Sequence, residues 1–194
     1  MRLAVRRRLI IATATVALVA GVMATASSAS AAPPASPGGA VVNLQVLNVS
    51  DFHGQLDPLS GVGGAAALSA YWAQDRAENP NTLLLTAGDA VGASPPLSSF
   101  FQDRPTIDWM NYAGFDADTF GNHNFDAGLG RLQQQIDAAD FDYLSANLAN
   151  VEDNLAGVAP YKIYKFQGVK VAVIGVTNPE APTLVTPAIS APSR

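Results

Sequence analysis

Three short stretches of this chain that read as strands each stop at a turn that carries Asp, Asn or His beside a glycine, and helical stretches separate them. Residues 41–49 (VVNLQVLNV) are β-branched and aliphatic and predict a mostly buried strand, ending at Ser50-Asp51-Phe52-His53-Gly54. Residues 82–86 (TLLLT) predict a second strand ending at Ala87-Gly88-Asp89, and 117–120 a third ending at Gly121-Asn122-His123. Residues 63–78 read as a helix with Leu68, Tyr71 and Trp72 on one side and Asn79-Pro80 as its stop. Further helical patterns lie around 107–112 and 129–139, and 143–146 reads as another strand. A hairpin is expected from 161–166 and 169–176 around Gln167-Gly168. Strand–helix alternation with short links predicts an α/β layered fold with a largely parallel first sheet. The carboxyl ends of parallel strands gather along one edge, where ligands bind. Asp51, His53, Asp89, Asn122 and His123 are therefore expected to meet, although their turns lie far apart in the chain.

The residue types in these turns point to metal chemistry. Asp51 and His53, two positions apart, offer one oxygen and one nitrogen, a mixture suited to zinc, manganese, iron or cobalt. Gly88 permits a tight turn, and the Asp89 carboxylate after it has two oxygens with which to bridge cations. Asn122 offers an amide oxygen, while His123 faces differently and is free to act on a substrate. Asp126, three residues further on, can fix which nitrogen of His123 carries the proton. A protonated imidazole beside a phosphate can stabilise the transition state or protonate a leaving oxygen. The chain has only two histidines, and both fall in these turns.

Taken in order, D-x-H-G, G-D and G-N-H-x-F-D, with LQVLNVSDFHGQL, LLLTAGDAVGASP, the stretch 110–126 and VKVAVIGVT around them, carry a family likeness. Over residues 42–177 the chain resembles the calcineurin-like metallophosphoesterases, within them the secreted 5'-nucleotidase and 2',3'-cyclic-nucleotide phosphodiesterase group. The resemblance implies a layered α/β sandwich and two divalent ions (Zn, Mn, Fe, Co or Mg) about 3.5 to 4 Å apart. It implies Asp51 and His53 on the first ion, Asp89 as the bridge, Asn122 on the second, and His123 with Asp126 as the dyad at the scissile phosphate. The substrate so implied is a small phosphate ester, a nucleotide. The likeness has gaps. Position 124 is Asn where the family usually has Glu, which predicts altered support of the loop rather than loss of metal. No histidine follows His123, so the family's later ligands, mainly to the second metal, have no counterpart, nor has its nucleoside-recognising C-terminal domain. The expectation is a sandwich truncated to its N-terminal half, with a dinuclear site only partly encoded and one sheet face left apolar. The alternative expectation is a noncatalytic secreted fragment that retains metal or partner binding.

Four of the eleven basic residues precede residue 9, the apolar run 9–23 follows, and Ala29-Ser30-Ala31 supplies an A-x-A site. This predicts a secretion signal over 1–31, cleaved near Ala31, and an extracytoplasmic or secreted protein. The apolar run is shorter than the ~20 residues of a membrane span. Residues 32–40 read as a flexible lead-in, 41–178 as the partial phosphoesterase domain and 179–194 as a Pro- and Ala-rich tail. Beyond residue 8 the balance is seven basic against sixteen acidic residues, which opposes general nucleic-acid binding. There is no cysteine, hence no disulfide or thiolate site. There is no G-x-S-x-G nucleophile elbow. Trp72 and Trp109 are expected in the core, Asn147 as a turn cap, and Gly61–Gly64 (GVGG) as the approach to a helix.

Overall fold

The computed structural model describes residues 41–184. The expected secretion signal, the lead-in up to residue 40 and the last ten residues of the tail lie outside the described residues. In chain order the elements are β1 (Gln45–Val49), α1 (Ala65–Glu78), β2 (Thr82–Thr86), α2 (Pro96–Ser99), α3 (Arg104–Ala113), β3 (Ala117–Asp118), α4 (Leu129–Ala138), β4 (Asp142–Leu144), α5 (Val151–Asn154), β5 (Val158–Ala159), β6 (Tyr161–Phe166), β7 (Val169–Ile174) and α6 (Ala181–Leu184). A single 3₁₀ turn, His123–Phe125, lies between β3 and α4.

β1 to β5 form one sheet in sequence order, and every pairing in it is parallel. β2 carries apolar side chains on both faces, so it sits inside the sheet, with Leu83 and Leu84 at 2% and 0% exposure. The helices are amphipathic where they face it. α3 buries Thr106, Ile107 and Met110, and α4 buries Leu132, Gln135 and Ile136, each on one stripe. Ile107, Met110, Leu132 and Ile136 join Trp72, Leu84, Phe115, Phe120 and Tyr143 in the main core, where Phe120 stacks on Tyr143 at 5.2 Å. α3 stops at Gly114 (φ +73°), and Arg76 from α1 donates to the carbonyls of Ala113 and Gly114 at that end.

β6 and β7 form a separate antiparallel pair turned by Gln167 (φ +48°) and Gly168 (φ +90°), two left-handed residues as a tight hairpin requires. The Tyr164 hydroxyl donates to the Asp116 carbonyl (2.9 Å), and Ala146 N–H donates to the Gly175 carbonyl (2.8 Å), joining the pair to the parallel sheet. Tyr161, Ile163 and Ile174 remain about half exposed or more.

Several expectations need correction. The first strand starts at Gln45 rather than 41 and is not mostly buried. As the edge strand it alternates half-buried and exposed positions, Val46 being 53% exposed. Tyr71 does not share the buried side of α1 with Trp72 but points outward. β3 pairs over two residues only, because the chain leaves the sheet at Thr119 to enter the third turn. β5 was not anticipated. Its two residues lack a periodic pattern and are strand only through pairing with β4. At the start of the expected tail, α6 forms and Ala181 is buried. Among the described residues no helix is long and apolar enough to cross a membrane.

Candidate metal centre

Hydrogen bonds between the two chain segments continue past the ends of β1 and β2, and this builds the centre. Asp51 N–H donates to the Gly88 carbonyl (3.3 Å), His53 N–H to Asp89 (2.9 Å) and Gly54 N–H to Ala90 (2.9 Å), so the first turn is laced along the second. Asp51, His53 and Asp89 all adopt left-handed backbone, with φ of +53°, +48° and +52°. Such conformations are costly for non-glycine residues and collect where side chains must be aimed. Phe52 between them is buried and stacks on Trp109 at 4.4 Å, anchoring the D-F-H turn to α3.

One ligand atom each from Asp51, His53 and Asp89 lies within 4.8 Å of the others. The donor set is two carboxylates and an imidazole, which fits a borderline divalent cation. His53 is oriented for the task. Its Nδ1 faces the Gly92 carbonyl at 2.9 Å, and since a carbonyl only accepts, Nδ1 carries hydrogen and Nε2 keeps its lone pair. The Ser50 hydroxyl donates to Asp51 Oδ2.

The third turn closes on the second. Asp89 Oδ1 accepts the His123 N–H at 2.8 Å, and a Cβ on Gly121 would lie 2.2 Å from the Asp89 carboxylate carbon, so only glycine leaves that carboxylate its seat. His123 packs edge-on to His53 with ring centres 5.1 Å apart, and its Nδ1 lies 2.7 Å from Asp126 Oδ2. Both His123 and Asp126 are over a third exposed. Asn122 is half-buried at the start of the 3₁₀ turn, where its carbonyl accepts the Phe125 N–H (3.1 Å). Asn147, expected as a turn cap, receives the Thr177 N–H on Oδ1 (2.8 Å) and donates to the Thr177 carbonyl (2.7 Å), away from these turns in its bonding.

Two supporting residues lie beneath. Asn124, 3% exposed, accepts the N–H groups of Asp89 (3.1 Å) and Gly121 (2.9 Å) on Oδ1. Asp118, 2% exposed, accepts those of Gly88 (3.1 Å) and Thr119 (2.7 Å) on Oδ1. Burial pushes the Asp118 carboxyl up to about 7, the two amides pull against it, and Asp89 adds to the rise. The sequence reading passed over Asp118. A signal was present, because a carboxylate inside an expected strand, between Ala117 and Phe120, has to find donors.

A parallel sheet whose carboxyl edge gathers two carboxylates and an imidazole beside a His–Asp pair defines an α/β protein with a centre suited to a divalent ion. Known proteins place it further. The chain is 31% identical over 207 residues to the cell wall protein Lmo0130 of Listeria monocytogenes, covering 89% of this chain and 26% of that one. It is 32% identical over 188 residues to a 5'-nucleotidase of Vibrio vulnificus, covering 94% and 33%. The structure of the calcineurin-like phosphoesterase YfkN from Bacillus subtilis superposes with a TM-score of 0.60 at 29% identity, covering 73% of this chain and 50% of that one. No family model matches the chain. It belongs to the calcineurin-like phosphoesterases, in the 5'-nucleotidase group, and corresponds to the N-terminal part of those proteins. It spans about a quarter to a third of the length of the two relatives just named.

Proposed function

We propose that Asp51, His53 and Asp89 hold a divalent cation and that this chain contributes to hydrolysis of phosphate esters, nucleotides in particular. The observation that carries the proposal is the convergence of three ligand atoms within 4.8 Å from turns that are remote in sequence. A second ion would share Asp89 and take Asn122, a poor cage that water would have to complete. A divalent ion in such a centre supplies Lewis-acid polarisation and makes a nucleophile of water near neutral pH. The chain's own residues do the rest. His53, held by Gly92, presents Nε2, and Asp89 keeps one oxygen on the His123 amide and has the other for a cation. His123, its Nδ1 on Asp126, has Nε2 to offer a phosphoryl oxygen or the leaving oxygen. The relatives named for 5'-nucleotidase activity favour a nucleotide substrate, and the signal-like N-terminus with a relative named as a cell wall protein favours an extracytoplasmic site of action.

The test is Mn²⁺ titration by calorimetry, followed by assay with AMP and bis(p-nitrophenyl) phosphate in Mn²⁺ or Co²⁺. Asp89→Asn should weaken Mn²⁺ binding by about 100-fold, the upper end of what even second-layer changes cost. Unchanged binding rejects the metal assignment. Turnover that disappears in His123→Ala supports the enzyme. Mn²⁺ binding with no turnover supports the noncatalytic alternative, for which the observation is that Asp51, His53 and Asp89 are the one such acidic and histidine group among the described residues.

A further inference from the structure

The second turn has a problem that the metal reading leaves open. Gly88 and Asp89 adopt consecutive left-handed conformations, φ +91° and +52°, and so leave the β1–β2 pattern at the residue whose carboxylate matters most. Their two N–H groups point into the protein, where an unpaired amide is costly. Both are received by side chains of the third strand and turn: Gly88 by Asp118 Oδ1 and Asp89 by Asn124 Oδ1, each at 3.1 Å. The same two oxygens also hold Thr119 N–H (2.7 Å) and Gly121 N–H (2.9 Å). Two oxygens thus serve four amides, two on each turn, and Asp89 Oδ1 returns one bond to His123 N–H.

The remaining halves of these side chains carry information too. Asn124 Nδ2 is buried with no hydrogen-bond partner, while the Thr86 hydroxyl faces the Asp118 carboxyl.

Resting on the reading of Asp89 as a ligand, we propose that Asp118 and Asn124 are paired positioning residues, a buried clamp that sets the Gly88–Asp89 turn and so aims the Asp89 carboxylate. Asp118→Ala and Asn124→Ala remove acceptors and should weaken Mn²⁺ binding about tenfold, beyond any change in the melting temperature of the metal-free protein, whereas Asp118→Asn keeps an acceptor and should bind Mn²⁺ nearly as the unaltered chain does.

The measurements are Mn²⁺ calorimetry on the full chain and amide hydrogen exchange by NMR at Gly88 and Asp89 without metal. Slow exchange at both amides, lost at Gly88 in Asp118→Ala and at Asp89 in Asn124→Ala, is the expected result. If Mn²⁺ affinity, or exchange at these amides, ignores both alanine variants, the clamp is wrong. If the unaltered chain takes up no Mn²⁺, the metal reading falls instead, while the exchange data still decide the clamp. Should an alanine variant fail to fold, Asp118→Leu and Asn124→Leu, which fill the space without an acceptor, take its place, and unchanged exchange in them overturns the clamp.

Discussion

At the carboxyl edge of the parallel sheet, each turn is held by groups from another turn. His53 is set by Gly92, Asp89 by Asn124 and Gly121, and the Gly88 amide by Asp118. The β6–β7 pair is built the other way, closing within one hairpin through its own ladder and a left-handed turn, and touching the parallel sheet by a few bonds. Geometry that depends on remote partners transmits a change from one turn to the next, whereas geometry closed on itself confines it. This places a multi-residue centre at the edge, where three side chains must agree in position, and leaves the hairpin free to vary.

Core truncation should show the contrast most strongly. Leu84 on β2 is fully buried against α3 and the aromatic cluster, and Leu84→Ala should cost about 2 to 5 kcal/mol of unfolding free energy. Ile163 on β6 is 46% exposed, and Ile163→Ala should cost about 1 kcal/mol or less. Denaturant unfolding measures both. Equal losses would mean the hairpin is as integral to the core as β2, and the contrast would fail.

Glycine substitution separates space from conformation. At Gly121 a methyl group would occupy the seat of the Asp89 carboxylate, so Gly121→Ala should weaken Mn²⁺ binding about tenfold. At Gly168 nothing lies within 4 Å of a new Cβ, but φ is +90°, so Gly168→Ala should cost about 1 to 2 kcal/mol of stability and leave Mn²⁺ affinity alone. A Gly168 variant that loses metal would show that the two regions are coupled after all.

The same contrast explains what could be read from sequence. The turns D-F-H-G and G-D were legible because each is a local string of residues after an apolar run, and convergence followed from parallel pairing. β5 was not legible, since Val158 and Ala159 become strand only by meeting Tyr143 and Leu144. Edge exposure of Val46 depends on strand order, which no window of sequence contains. Asp118 could have been suspected from its apolar neighbours, but its partner Gly88 lies thirty residues away. Position 124 was noticed as a departure, and only the bonds to Asp89 and Gly121 show what its amide does.

A pH titration tests the buried carboxylate of the edge. Asp118 has a folded pKa of about 7 against 3.8 for the free carboxyl, so between those values the folded state keeps a proton that the unfolded state releases. The stability this confers is complete below 3.8 and is lost as pH rises through about 7. In metal-free protein, Asp118→Asn should therefore gain stability relative to the unaltered chain as pH rises from about 5 to 8. Parallel pH profiles would show that Asp118 carries no such proton.

The smallest effect belongs to the join between the two regions. Lys162 Nζ on β6 lies 2.9 to 3.0 Å from the Asp142 carboxylate oxygens on β4, with the two side chains 49% and 38% exposed. Water and salt reach such a pair, and exposed pairs contribute about 0 to 1 kcal/mol. Lys162→Ala should fall in that range and shrink further in high salt. Tyr164→Phe, which removes the half-buried hydroxyl bond to Asp116, should cost slightly more, about 0.5 to 1.5 kcal/mol. If Lys162→Ala instead costs well above 2 kcal/mol, water does not reach the pair. The hairpin would then be clamped to the sheet as firmly as the turns are to one another, and the distinction between remote and self-contained geometry would not describe this molecule.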